Sequence, residues 1–203
     1  MKSLLVIVFV FISTLLSHAA ESEAQEAVAA MQKSIESMGS YSATVRVRPK
    51  GAAASVSLQY SVSGDSYYMS MPRYEIYGEG STRYEVNNKS KEIIIAKSKG
   101  LSDDMLSNPA QSLKLLWSNF NAEMISKSDK EWSVRLTPKS TIEGLVIDRA
   151  LLDISRVTKL PVKLIYEAGD DRAIIRFDAI KPLSSPIPRF DRSKFEEYDI
   201  FDF

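Results

Sequence analysis

Nucleophilic and acid-base chemistry has little to draw on in this chain, whose 203 residues include one histidine, His18, and no cysteine. His18 falls in a leader, Met1 to Ala19, with the three parts that export requires. Lys2 is the short basic start, Leu4 to Leu16 the apolar run, and Ser17 and Ala19 the small residues that suit signal-peptidase cleavage. Cleavage after about Ala19 takes the histidine away. Without His or Cys, a chain loses the usual general base, the Ser-His triads, thiol nucleophiles and most zinc geometries. Carboxylate or Ser-Lys chemistry remains, and neither has a recognisable motif here. Asp103-Asp104, Asp170-Asp171 and Glu196-Glu197 are adjacent acids. Neighbours on a strand face opposite ways, and acids suit turns and helix starts, so all three read as solvated structure. Gly78-Glu79-Gly80 lacks the following helix of a phosphate loop and reads as a hairpin turn. The expectation is a protein that is not an enzyme and carries no cofactor and no metal.

About 13 apolar residues in the leader fall short of the ~20 needed to span ~30 Å of hydrocarbon. No later segment is apolar enough to cross a membrane, and no cysteine near the cleavage point offers a lipid attachment. The expected product is a soluble protein in the periplasm. Residues 20–203, about 184 in all, suit a single domain that must stand on an ordinary core, since disulfides are excluded. With Lys2 gone, Lys and Arg together fall one short of the 26 Asp and Glu, and no basic block argues for nucleic acid. A 44% hydrophobic, 9% aromatic composition is too apolar for disorder.

The elements follow from changes of period. Ser22-Glu23-Ala24-Gln25 is a capping-box pattern, and Ala27, Val28, Met31, Ile35 and Met38 then form one apolar stripe of a helix that Gly39 closes. Next the period falls to 2. Tyr41, Ala43, Val45 and Val47 alternate with polar residues, and Val56, Leu58, Tyr60 and Val62 repeat the pattern after a turn at Pro49-Lys50-Gly51. Shorter strands follow at 67–71, 73–77, 82–86 and 91–96, and they read as an antiparallel meander. Asn108 then caps a second helix with Pro109 at its first position, lined by Leu113, Leu116, Trp117 and Phe120. Strand signals resume at 121–126, 132–137, 145–155, 162–167 and 172–180, and Phe195 to Phe203 adds a final strand.

An eleven-strand sheet, at ~4.8 Å per strand, would be ~50 Å wide if flat, and two helices each ~10–12 Å across cover less than half of it. The sheet must curl or split. A filled sandwich and an open barrel with an apolar hollow both satisfy the pattern. Met69, Met71 and Met124, with Tyr60, Tyr67, Tyr68, Tyr84, Trp117 and Trp132, offer adaptable apolar surface for flexible chains, and equally a normal core. Arg46 and Arg48 are candidates for an acidic partner or plain solvent-facing residues of their strand.

Tyr41-Ser42-Ala43-Thr44-Val45 follows the first helix, Asn108-Pro109 leads to Leu115-Leu116, and Leu136-Thr137-Pro138-Lys139 comes after Trp132. Phe190-Asp191, Lys194 and Tyr198-Asp199-Ile200-Phe201-Asp202 follow toward the C-terminus. In these segments and in the order of its elements the chain resembles the LolA family of periplasmic lipoprotein carriers. The resemblance implies a mainly β fold with an α-helical lid: an unclosed antiparallel β-barrel of about eleven strands around a hydrophobic cavity for acyl chains. By position, the cavity and lid residues are then Val45, Val47, Val56, Leu58, Tyr60, Met69, Met71, Ile94, Leu113, Leu116, Trp117 and Trp132. Ser63-Gly64 stands where better-known members have Arg-Pro, and Arg83-Tyr84 where they have Trp-Tyr, so the release step that uses the family's arginine works differently here. The implied function is a periplasmic chaperone that binds lipoprotein acyl chains and moves them toward the outer membrane as a monomer. Its implied partners are an inner-membrane lipoprotein-releasing complex, with Arg46 and Arg48 as docking candidates, and an outer-membrane receptor. The alternative is a periplasmic lipid- or lipoprotein-sensing module of an envelope-stress or regulatory system.

Overall fold

The computed structural model describes residues 23–97, 119–140 and 147–202. The leader, Ser22 of the capping box and the expected second helix with Leu113, Leu116 and Trp117 lie outside these residues, but Phe120, expected on that helix, instead opens a strand, Phe120–Lys127. Helix α1 covers 23–36 and buries Ala24, Ala27, Val28, Met31 and Ile35, the stripe that the three- and four-residue spacing predicts. Its chain reverses at Gly39, which donates to the Glu36 carbonyl at 3.0 Å with φ of 65°, a left-handed conformation that glycine adopts without a Cβ penalty.

Twelve strands follow among the described residues: β1 (Ser40–Pro49), β2 (Val56–Ser63), β3 (Ser66–Met71), β4 (Tyr74–Glu79), β5 (Thr82–Asn87) and β6 (Glu92–Lys97) form a meander. After it come β7 (Phe120–Lys127), β8 (Glu131–Pro138), β9 (Arg149–Ser155), β10 (Pro161–Ala168) and β11 (Asp171–Pro182), then a 3-10 turn at Arg192–Phe195 and β12 (Asp199–Asp202). They make one sheet in the order β12-β6-β5-β4-β3-β2-β1-β11-β10-β9-β8-β7. All pairings are antiparallel except β12 on β6. The two ends, β12 and β7, do not pair with each other, so the barrel is unclosed. Irregularities at Thr44/Val45, Met124/Ser126 and Pro161/Lys163 interrupt the ladders, and such bulges bend a strand and strengthen its twist.

Gly78-Glu79-Gly80 is corrected in part. Gly78 and Glu79 belong to β4, and only Gly80-Ser81 turns the chain between paired Glu79 and Thr82. Likewise Phe195 sits in the 3-10 turn, so the final strand begins at Asp199.

The sheet has two buried faces. On the inner face, α1 joins one apolar cluster with Tyr41, Ala43, Val45, Tyr60, Val62, Tyr67, Met69, Phe120, Val134, Leu136, Leu152 and Ile154. Glu23 is paired with Lys127 at the end of β7, and Ser34 donates to the Thr158 carbonyl at 3.1 Å, so the helix is tied at both ends to the β7–β10 half. On the outer face of β3–β6, Tyr77, Val86, Ile93 and Phe195 form a second cluster with Tyr68, Tyr84, Ile95, Phe190 and Tyr198. Phe190 stacks on Tyr84 at 4.1 Å and 6°, and the chain after it runs through the 3-10 turn into β12.

Candidate functional site

Register decides which side chains share the inner face. Ala43, Tyr60, Met69, Ile76, Glu85 and Ile94 succeed one another as partners from β1 to β6, and Phe201 of β12 lies opposite Ile94. The next row is Tyr41, Val62, Tyr67, Gly78, Arg83 and Ala96. Toward the other end Val45 lies opposite Leu58, and Val47 opposite Val56. Since side chains alternate along a strand, each row faces the same way as the row two residues on.

The sequence-derived cavity residues within the described chain are all on this face. Val45, Tyr60 and Met69 are buried, Val47, Leu58, Met71, Ile94 and Trp132 are half-buried, and Val56 is 48% exposed. The structure brings Val45, Val47, Val56, Leu58, Tyr60, Met69 and Met71 together on β1–β3. Trp132 is apart, on β8, where the Lys159 ammonium sits 4.1 Å from its ring centroid and the Arg156 guanidinium 5.7 Å away. Such cation-π contacts hold the β9–β10 turn over the indole. Ile76, between Met69 and the β5 strand, belongs with the first group and was missed, because its neighbours Glu75 and Tyr77 hide the alternation.

Polar groups punctuate the inner face. Tyr41 and Tyr60 meet edge-on at 6.3 Å between ring centroids. Burial pushes the Tyr41 hydroxyl up to about 12, against a smaller opposing effect of its hydrogen bond with Tyr60. Arg83 and Glu85, two apart on β5 and hence on one face, are joined at 2.7 Å between Nε and Oε1. Both are only 22–23% exposed. Sequence reasoning missed their orientation. They alternate with Tyr84 and Val86, so the apolar pair reads as the inward one, whereas it faces the outer cluster.

A separate groove of about 290 Å³ opens between α1 and the β7–β8 edge. Its floor is Val28, Phe120, Ala122 and Leu136 and its rim Gln25, Gln32 and Lys139, none of which was singled out from the sequence as a site residue. On the outer face Ser133 donates to Asp153 at 2.7 Å, and Asp153 also pairs with Lys163. These three knit β8, β9 and β10, because the serine proton already points at a carboxylate that a lysine neutralises. Arg46 makes a two-pronged bond to Asp178 across β1 and β11, at 2.5 and 2.6 Å, while Arg48 is exposed at the end of its strand. Tyr68 and Tyr84, grouped with the methionines by sequence, lie on the outer face instead. Among the described residues no three His, Cys, Asp or Glu side chains gather as a metal site, and no described helix is long and apolar enough to cross a membrane.

No family model matches this chain, and no curated protein does. Solved structures do. An uncharacterized conserved protein from Thermus thermophilus aligns over 89% of this chain and 99% of its own at 8% identity, with a TM-score of 0.55. A DUF1329 family protein from Desulfovibrio piger aligns over 87% and 99% at 10% identity, with a TM-score of 0.50. At such identities the shared property is the fold, and here that is an unclosed, mostly antiparallel sheet holding a helix. This is the unclosed β-barrel architecture that the sequence resemblance implies. A LolA superfamily protein from Nitrosomonas europaea also aligns, over 80% of this chain and 94% of its own at 12% identity, with a TM-score of 0.44. In this fold, the inner-face residues of β1–β6 form the candidate site.

Proposed function

We propose that the protein is a periplasmic carrier whose inner sheet face receives the acyl chains of lipoproteins and carries them toward the outer membrane. One observation carries the reading: from β1 to β4 the inner face bears a continuous apolar tract, Val47, Val56, Leu58, Met71 and Ile76, that stays half-buried or exposed instead of being sealed as core, and Ile94 resumes it on β6 beyond Glu85. An acyl chain laid on such a tract gains ~0.8 kcal/mol per CH₂, on the order of 12 kcal/mol gross for roughly 16 carbons. Release requires that this be offset. Methionine and tyrosine contacts within the hollow that reform as the chain leaves reduce the net affinity to a difference between two states. Loading energy comes from an inner-membrane releasing complex and delivery ends at an outer-membrane receptor, with no substrate turned over. Arg46 and Arg48, on the outer side of β1, are the docking candidates.

Mass spectrometry of the mature protein isolated from its native envelope is the direct test. Co-purified lipoprotein or acyl lipid, and transfer of a labelled lipoprotein to acceptor membranes in reconstitution, are the expected results. Absence of both overturns the proposal. Binding without onward transfer is instead the signature of a sensing module.

A further inference from the structure

The acyl-binding reading leaves unexplained why an ion pair sits on an apolar inner face. Arg83 and Glu85 have Ile76 and Gly78 beside them on β4 and Ile94 and Ala96 on β6. Partly burying two charges costs desolvation, and an apolar pair of similar volume would serve stability at least as well. The setting leaves room on one side: Gly78, the β4 partner of Arg83, is covered by the Tyr67 ring, whereas Ala96, its partner on β6, is among the smallest residues available.

We infer that Arg83 and Glu85 form the polar subsite of the hollow, which holds the ester-linked head of an acylated ligand while the chains lie on Met69, Ile76 and Ile94. This rests on the acyl-binding proposal and names the ligand class within it. The paired charges set the preference. A guanidinium neutralised by Glu85 donates well to an uncharged ester carbonyl, whereas a free carboxylate entering the same place meets the like charge of Glu85. The ligand class is therefore diacylglyceryl-linked, not free fatty acid.

The test uses the full mature protein with three probes: a synthetic dipalmitoylglyceryl-cysteine peptide, free palmitate, and the hydrocarbon reporter N-phenylnaphthylamine. The wild type should bind the lipopeptide at least tenfold more tightly than palmitate. Glu85→Gln, which leaves the guanidinium without its neutralising acid, should gain palmitate affinity by about tenfold. Arg83→Met should lose lipopeptide affinity by a similar factor while reporter affinity stays within twofold. If Arg83→Met fails to fold, the palmitate gain in Glu85→Gln still decides. Equal losses for all three probes mark the pair as a structural brace and overturn the subsite, as does an unchanged palmitate affinity in Glu85→Gln. A wild type that binds none of the probes, reporter included, overturns the acyl-binding proposal itself and the subsite with it.

Discussion

The ring of Tyr67 on β3 occupies the space that a side chain of Gly78 on β4 would need: a Cβ placed on Gly78 would come 2.0 Å from Tyr67 Cε1. An aromatic ring covering a cross-strand glycine protects a backbone stretch that has no side chain of its own to pack. Gly78→Ala must displace the ring, so it is expected to destabilise by about 1–3 kcal/mol in urea unfolding. Combining it with Tyr67→Ala should cost less than the sum of the two, because the clash is gone. Additive losses would show that the two positions are independent.

Phe195 is the buried residue of the 3-10 turn and meets Tyr77, Phe190 and Tyr198 at 6.5, 5.7 and 5.2 Å between centroids. Phe195→Ala is expected to cost about 3–5 kcal/mol and to increase binding of a hydrophobic dye. Val157, 84% exposed at the tip between β9 and β10, is the control. Val157→Ser should stay within about 0.5 kcal/mol.

Alkaline unfolding should depend on Tyr41. Its folded value lies near 12 against an ordinary 10.0, so the neutral hydroxyl stabilises the fold fully below pH 10, and that contribution is lost as pH rises from about 10 to about 12. The loss is on the order of 3 kcal/mol. Tyr41→Phe removes the titration, and its stability should fall less steeply across that window; an unchanged slope would contradict the assignment.

Acid unfolding has a different centre, Glu75 on the outer face. Burial pushes its carboxyl up, but hydrogen bonds from Tyr77, Asn88 and Tyr68 and the charge of Lys194 outweigh it, and the net shift is below the ordinary 4.5. A depressed carboxylate stabilises above its unfolded value and loses that contribution as pH falls through the folded one. Urea midpoints measured from pH 5 downward should therefore drop more steeply for wild type than for Glu75→Gln.

Arg46 and Asp178 are joined in the open. Exposed pairs add little to stability because water screens them, so Arg46→Ala should unfold at a urea midpoint close to that of wild type. A loss of lipoprotein loading by that variant would then report docking and not folding. Normal loading by both Arg46→Ala and Arg48→Ala would remove the outer side of β1 from the docking surface.

The sequence was most readable where one sheet face is wet. Tyr41, Ala43, Val45 and Val47, and Val56, Leu58, Tyr60 and Val62, alternate cleanly, and the structure pairs them as partners on one face. Legibility failed where both faces are covered. In β3 to β6, Tyr67 and Tyr68 or Ile93, Ile94 and Ile95 are apolar on both sides, because residues 190–198 pack against the outer face, and no local pattern announces a cover that arrives so late in the chain. For the same reason nothing local marks Arg83 and Glu85 as inward-facing. Their inward orientation is a property of register with Gly78, Ile76, Ile94 and Ala96, and register is set by the whole sheet.

The pairing of β12 with β6 also orders events in time. During synthesis the meander β1–β6 emerges long before residues 190–202, so Tyr68, Tyr77 and Tyr84 must wait uncovered until the closing segment follows. Damage to that segment would therefore leave a ready-made sticky aromatic surface on an otherwise assembled sheet. The quality of each molecule is sealed by its last strand.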